Sequence, residues 1–159
     1  MSAQPMTLST EITLITIRTV AVDRSRTPQQ ALNATGRKQY TDRKVVDSMP
    51  RTKTEGIEEV KVRFFKPRPE AYENGYMSDE SLAAEYDYFG LKPDPIAQTA
   101  VNEQDPAFAD THPNGCHWKD ATGEYCFTTF RRWSDGRGVV CNRIGDGWGV
   151  DCVFGGVCK

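Results

Sequence analysis

The sequence predicts a single α+β domain in which short helices pack on an antiparallel sheet. Three observations predict it. Two segments rich in β-branched residues in the first half of the chain are typical of strands. Helix-capping signals separate and follow them. The C-terminal segment has the turn residues and strand formers of a β meander. With 159 residues, 38% of them hydrophobic, the chain is long enough to bury one core. We expect residues 1–10 to be a flexible tail and residues 11–159 to form the domain.

The N-terminal half is predicted to alternate strands with short helices. Residues 12–22 are dense in β-branched side chains and indicate a mostly buried strand. Residues 27–36 begin with a Thr-Pro-Gln-Gln capping box, place proline at the first helical position and end in glycine. Residues 41–49 predict a second short helix that stops before Pro50. Residues 58–66 alternate apolar and charged side chains, which predicts a half-buried strand.

The middle of the chain is predicted to be helical. Ser78 caps a helix that has an apolar stripe at helical spacing, and Gly90 ends it. Residues 96–104 are expected to add a further short helix, and residues 105–115 a connecting loop.

The C-terminal segment is predicted to be a three-stranded antiparallel meander over residues 125–133, 138–145 and 148–158. Asp135-Gly136 and Asp146-Gly147 separate these strands. Asp-Gly between strand-forming runs favours a two-residue type I′ turn, because both turn positions need positive φ. This meander is the displayed C-terminal sheet of the predicted domain.

Two-residue turns would also fix the register of the meander. Ser134 would pair with Arg137, and Cys141 would lie opposite Cys152. We expect packed thiols there rather than a disulfide, because no export signal is visible. The face that carries Phe130 is predicted to be the core side. The opposite face has no consistent hydrophobic pattern and is predicted to be displayed.

One group of residues, His112, Cys116, His117 and Cys126, combines the side chains that zinc prefers. Their spacing lacks the paired C-x-x-C of structural zinc sites. A Cys-His nucleophile would need an orienting group and an oxyanion hole, and nothing nearby supplies either. We therefore predict no enzyme activity, no metal and no cofactor, with a thiol or zinc hydrolase as the alternative.

The charge is divided unevenly along the chain. Residues 1–69 carry 13 Lys and Arg against 7 Asp and Glu, whereas residues 70–159 carry 7 against 15. A basic half is compatible with nucleic-acid contact. A small nucleic-acid-associated or regulatory protein is therefore an alternative function, although the basic residues are scattered among acids rather than clustered.

The sequence shows no membrane-spanning or secretory segment. No run approaches the ~18 apolar residues of a membrane span. The N-terminus lacks a basic segment followed by an apolar one. We expect a cytoplasmic protein, with association with a virus particle or non-classical export as alternatives.

Four motifs close the chain: F-x-R-W, x-V-x-x-x-R, a Trp five residues after that Arg, and F-x-G-x-x-K. They place scaffold residues at Phe130, Arg132, Trp133, Val139, Arg143, Trp148, Phe154, Gly156 and Lys159. This quarter of the chain resembles the variable proteins of diversity-generating retroelements, in which mutagenic reverse transcription alters chosen codons. Cys158 departs from the pattern, which has a basic residue there.

The resemblance implies a C-type-lectin-like fold and a non-enzymatic, ligand-binding function. Diversified positions in that family form a binding surface, here for a protein or cell-surface ligand. The implied ligand-binding residues are Arg131, Trp133, Ser134, Gly138, Val140, Asn142, Ile144, Asp146, Gly149 and Asp151. Most fall on the predicted displayed face, with Ser134, Gly138 and Asp146 at its turns. A structural domain with no binding role is the alternative.

Overall fold

A large mixed sheet forms the centre of the fold. The computed structural model describes residues 14–143 and 147–159. Within these residues the strands are β1 (Leu14–Asp23), β2 (Lys38–Thr41), β3 (Ile57–Phe65), β4 (Tyr76–Met77), β5 (Leu91–Pro93), β6 (Asn114–Lys119), β7 (Tyr125–Trp133), β8 (Gly136–Arg143), β9 (Trp148–Gly149) and β10 (Val153–Cys158). The helices are α1 (Pro28–Ala34), α2 (Arg43–Asp47), α3 (Asp79–Tyr88), α4 (Pro95–Gln104) and α5 (Phe108–Thr111). The predicted tail, residues 1–10, lies outside the described residues.

Most neighbouring strands in the sheet are antiparallel. Seven strands follow one another in the order β1-β3-β10-β6-β7-β8-β2, and β5 also pairs with β10. The pairs β10–β6 and β2–β8 are parallel. Strands β4 and β9 form a separate two-stranded sheet. The predicted α+β fold in one domain is confirmed.

The two helix starts predicted from capping residues, at Thr27 and Ser78, are confirmed. The Thr27 side chain accepts a hydrogen bond from the backbone of Gln30, whose side chain returns to Thr27, so the capping box is complete. The Ser78 hydroxyl accepts from the backbone of Ser81 at the start of α3. The Asp94 carboxylate caps α4 by accepting a hydrogen bond from the backbone of Ala97. Local sequence chemistry therefore determines where these helices begin.

The sheet separates two hydrophobic clusters. Phe64 belongs to the first and Phe65 to the second, because adjacent strand residues point to opposite faces. Helices α1, α2, α4 and α5 cover the first cluster. Helix α3 and the segment around Trp148 cover the second. This second layer covers the middle of the sheet and leaves the outward side of the β7–β8 end partly open.

The predicted three-stranded meander is wrong in its third strand. Strands β7 and β8 form the expected hairpin, but β10 lies on the other side of β6 and β7 and does not pair with β8. The chain leaves the hairpin because Trp148 and Cys152 are buried in the second cluster. Cys141 lies in the first cluster, so it does not face Cys152, and both are free thiols.

The predicted register of the hairpin is wrong by two residues. Trp133 pairs with Gly136, so the turn residues are Ser134 and Asp135 rather than Asp135 and Gly136. Gly136 instead occupies the first position of β8 with a φ of 130°. A shift of two residues preserves the alternation of side chains. The prediction of which hairpin residues share a face is therefore confirmed.

Three strands of the main sheet, β2, β5 and β6, fall where the sequence predicted none. Strand β2 precedes the predicted helix at 41–49, and β6 begins inside the predicted loop 105–115, which also contains α5. Residues 114–118 of β6 are buried without alternation, because both faces of this strand are covered. No helix in the described parts of the chain is long and apolar enough to cross a membrane.

Candidate functional site

The β7–β8 hairpin has one buried and one outward face. Thr128, Phe130, Val139 and Cys141 are fully buried on the reverse face. The outward face carries Thr129, Arg131 and Trp133 on β7 and Gly138, Val140 and Asn142 on β8. On this face Thr129 and Gly138 are buried, Arg131, Trp133 and Val140 are partly buried, and Asn142 is exposed. The reverse face anchors the hairpin, and its outward face reaches solvent.

Residues 149–151 lie beside this outward face. The Arg131 guanidinium is 3.1 Å from the Asp151 carboxylate. A Cβ placed on Gly149 would make only an ordinary contact, 3.5 Å, with Asp151. Because the Asp151 side chain is 59% exposed, the ion pair stabilises the fold by less than ~1 kcal/mol. It shows that the hairpin and this segment form one continuous surface.

An aromatic cleft lies at the end of the outward face. It has a volume of about 500 Å³ and is lined by Tyr40, Trp133, Ser134, Asp135 and Val140. The Tyr40 and Trp133 rings meet edge to face, with centroids 5.8 Å apart and planes at 77°. Tyr40 comes from β2 and is 46% exposed. The sequence gives no signal for this residue, because β2 is only four residues long and has no apolar pattern.

Arg37 contacts both strands of the hairpin from its reverse face. Its Nη1 donates to the carbonyls of Arg131 and Gly138, at 3.4 and 3.3 Å, and its Nη2 donates to Pro106 at 2.8 Å. The guanidinium also lies 5.5 Å from the Phe130 ring centroid. Burial, and then the charge of Arg137, lower the pKa of Arg37. The sequence offered no signal for this role, since nothing local marks an arginine as buried.

A buried amide network supports the sheet from its reverse side. Gln98 and Asn102 of α4 both donate to the Asn114 side chain of β6, at 3.1 and 2.9 Å. The Thr128 hydroxyl of β7 donates to Gln98. All four side chains are almost completely inaccessible. Satisfied polar groups at this depth fix the helix and both strands in one arrangement, because an alternative packing would leave donors unpaired.

The predicted site residues that the structure describes are all on or beside this one surface. Ser134, Asn142 and Asp151 are exposed, Arg131, Trp133, Val140 and Gly149 are partly buried, and Gly138 is buried. Gly138 is covered by the Trp133 ring. Ile144 and Asp146 lie outside the described residues.

The motif residues have two kinds of surroundings. Phe130, Val139, Trp148 and Phe154 are buried core residues. The Trp148 indole nitrogen also donates to the Asp79 carboxylate at 3.0 Å. The arginines are more exposed and form ion pairs instead. Arg132 lies 3.9 Å from Asp110, and Arg143 lies 3.0 Å from Asp120.

The His and Cys residues near β6 are dispersed by the fold. His117 is buried between the Tyr86 and Tyr125 rings, with its Nδ1 2.7 Å from Asp79. Burial raises the pKa of the Cys116 thiol to about 12, which disfavours the nucleophilic thiolate. Cys126 belongs to the first hydrophobic cluster. Among residues 14–143 and 147–159, no three His, Cys, Asp or Glu side chains are grouped to hold a metal ion.

A larger cleft lies at the N-terminal end of α3. It has a volume of about 560 Å³, and its lining includes Glu70, Glu73, Asp79 and Glu80 together with Tyr76. These carboxylates make it negative, which favours cations over anions near its mouth. None of the described site residues predicted from the sequence lines it.

Comparisons of the chain with protein-family models, with curated proteins and with solved structures found no match.

Proposed function

We propose that the protein is a non-enzymatic binding protein whose ligand site is the outward face of the β7–β8 hairpin together with residues 149–151. One observation carries the proposal. The described site residues predicted from the sequence lie side by side on one partly open surface. The reverse face of the same hairpin packs in the core. Such an arrangement separates side chains that hold the fold from side chains that meet a ligand.

The scaffold behind the surface supports this function. Arg37 and the Gln98–Asn102–Asn114–Thr128 network hold the hairpin backbone from below. A rigid support lowers the ordering cost of binding, because the backbone does not have to be immobilised when a ligand arrives. Exposed residues such as Asn142 and Asp151 are also the ones whose substitution disturbs a fold least.

A protein or cell-surface ligand suits this surface. Trp133, Tyr40 and Arg131 are of the types that dominate protein interfaces when they are desolvated. The aromatic cleft provides a place for an apolar anchor, and the Arg131–Asp151 pair provides a polar rim.

As the sequence resemblance implies, we also propose that this surface is diversified by a retroelement, on a C-type-lectin-like scaffold. The surrounding DNA tests the origin directly. A near-copy of the 3′ end of the gene, differing mainly at adenines and next to a reverse transcriptase gene, is the expected finding. A complete locus with neither would remove diversification from the proposal.

Paired display libraries test the site itself. The first would vary Arg131, Val140, Asn142 and Asp151. The matched control would vary Thr19, Ala21, Glu59 and Lys61, which are exposed on the β1–β3 end of the same sheet.

We expect both libraries to retain folded members and binders to a panel of proteins to come predominantly from the first. Binders in equal numbers from both libraries, or loss of folding confined to the first, would contradict the assignment of the site.

A further inference from the structure

Gly138 lies directly beneath the ring of Trp133. The two residues are diagonal neighbours across the hairpin, where a large aromatic side chain reaches its partner strand. A Cβ at position 138 would lie 2.5 Å from Cζ3 and 3.1 Å from Cε3 of Trp133. The backbone at Gly138 does not have positive φ, so its conformation is open to other residues. The indole ring is therefore the main obstacle to a side chain at this position.

The opposite side of the same ring forms a wall of the aromatic cleft. Trp133 meets Tyr40 edge to face there, and Val140 lines the cleft beside them. Trp133 is partly exposed and immediately precedes the hairpin turn, so its ring has solvent to move into. The Lys38 carbonyl, 3.3 Å from the hypothetical Cβ, needs to yield by only a few tenths of an ångström. Any side chain at 138 thus acts first on the Trp133 ring and through it on the cleft.

We infer that residue 138 determines the specificity of the surface by setting the position of Trp133. With glycine, the ring stays over the strand and the cleft between Trp133 and Tyr40 accepts an apolar or aromatic group of a protein ligand. With a larger residue the ring is displaced, the cleft loses its wall, and the side chain at 138 itself becomes part of the surface. The inference rests on the proposed function, because it concerns the selectivity of that same site.

The first test needs no ligand. In the wild-type protein, NMR is expected to show NOEs from the Trp133 ring protons to the Gly138 α-protons and to the Tyr40 ring. Gly138→Ala is expected to lose the NOEs between Trp133 and Tyr40 and to shift the Trp133 indole signals. Gly149→Ala is the matched control, because its Cβ has room on the same surface. Unchanged Trp133–Tyr40 NOEs in Gly138→Ala would overturn the inference.

The double variant Gly138→Ala/Trp133→Ala covers the case in which Gly138→Ala does not fold. Removing the ring removes the clash, so the double variant is expected to melt at the temperature of Trp133→Ala alone. Failure of both Gly138→Ala and the double variant to fold would place the obstacle in the backbone and overturn the inference.

The second test measures selectivity. Binders would be selected from two libraries of the hairpin surface, one with Gly138 fixed and one with Ser fixed at 138. Trp133→Ala is expected to weaken binders from the first library by at least ~10-fold and binders from the second much less. Equal losses in both sets would overturn the inference and leave the proposed function standing. No binders from either library would contradict the proposed function, while the NMR result would still decide whether residue 138 positions the ring.

Discussion

At the scale of single residues, the buried Arg37 supports the proposed site from the reverse face of the hairpin. Its planar guanidinium bridges three backbone carbonyls that belong to β7, to β8 and to the segment before α5. A lysine carries the same charge but has a single nitrogen, which cannot reach all three acceptors in a fixed plane. The shape of the donor, rather than its charge alone, therefore matters here.

Arg37→Lys is expected to lower the free energy of unfolding by about 2 kcal/mol, because a lysine at this buried position cannot make all three hydrogen bonds of the guanidinium. Urea-induced unfolding measures the change. Arg43→Lys is the control, since the Arg43 side chain is 71% exposed in its pair with Asp47, and a change within about 0.5 kcal/mol is expected. Equal effects of the two substitutions would show that Arg37 does not hold the hairpin.

At the scale of elements, the sequence predicts helices better than it predicts strand neighbours. The starts of α1 and α3 follow from Thr27 and Ser78, because a cap is a local hydrogen bond between nearby residues. The position of β10 follows from the burial of Trp148 and Cys152 in the second cluster. No local sequence pattern indicates that burial. Strand β6 lacks alternation because it is covered on both sides.

The candidate site could be predicted in part for the same reason. Which residues share one face of a hairpin follows from the alternation of side chains alone. The sequence therefore predicts the hairpin residues of the site, from Arg131 to Asn142. The two-residue error in register did not matter, because it preserves the faces. The sequence does not predict the roles of Tyr40 and Arg37, because β2 pairs with β8, which lies about 100 residues later in the chain. Long-range strand pairing carries no short-range signal.

Helix α4 depends on Asp94 in two ways. The Asp94 carboxylate caps the helix at the backbone of Ala97, and it also makes a two-point contact with the buried guanidinium of Arg24, at 3.3 and 3.0 Å. Asp94→Ala is expected to lower the free energy of unfolding by about 3 kcal/mol, because it leaves Arg24 buried with only Glu58 as a partner.

Asp42→Ala is the matched control for this substitution. Asp42 caps the short helix α2 by accepting from the backbone of Lys44, and it makes an exposed hydrogen bond there. Loss of a cap alone costs about 1 kcal/mol. Urea-induced unfolding of both variants compares them directly. Losses of the same size would mean that the Arg24–Asp94 pair adds nothing to capping.

At the scale of the whole molecule, many of the unevenly distributed charges of the sequence form ion pairs within the fold. Cations of the basic half pair with carboxylates of the acidic half. These pairs are Arg18–Asp105, Arg24–Asp94, Arg26–Glu103, Lys38–Asp135, Arg68–Glu70 and Arg68–Glu85. The two halves of the sequence therefore neutralise each other across the fold. Ion pairs within the fold therefore account for much of the asymmetry.

A different set of carboxylates makes stability depend on pH. Hydrogen bonds and nearby cations lower the pKa of Asp23, Glu58, Asp110 and Asp120 in the folded protein. In the unfolded chain these groups return to about 3.9 for Asp and about 4.3 for Glu. Below those values the unfolded state binds more protons than the folded state, so acid favours unfolding. The stability they contribute is complete above about pH 5 and is lost as pH falls through the depressed values.

Asp120 is the strongest single test of this dependence. The Thr122 hydroxyl, then the Arg143 guanidinium and the backbone of residues 122 and 124, hold its pKa well below the usual range. The free energy of unfolding, measured with urea at a series of pH values, is expected to be flat between about pH 5 and about pH 8, below the pKa of unfolded thiols, and to fall steadily below about pH 4. Asp120→Asn cannot take up that proton, so its profile is expected to fall less steeply although it starts lower. A profile parallel to that of the wild type would show that other carboxylates carry the acid sensitivity, because a group that no longer titrates contributes no slope.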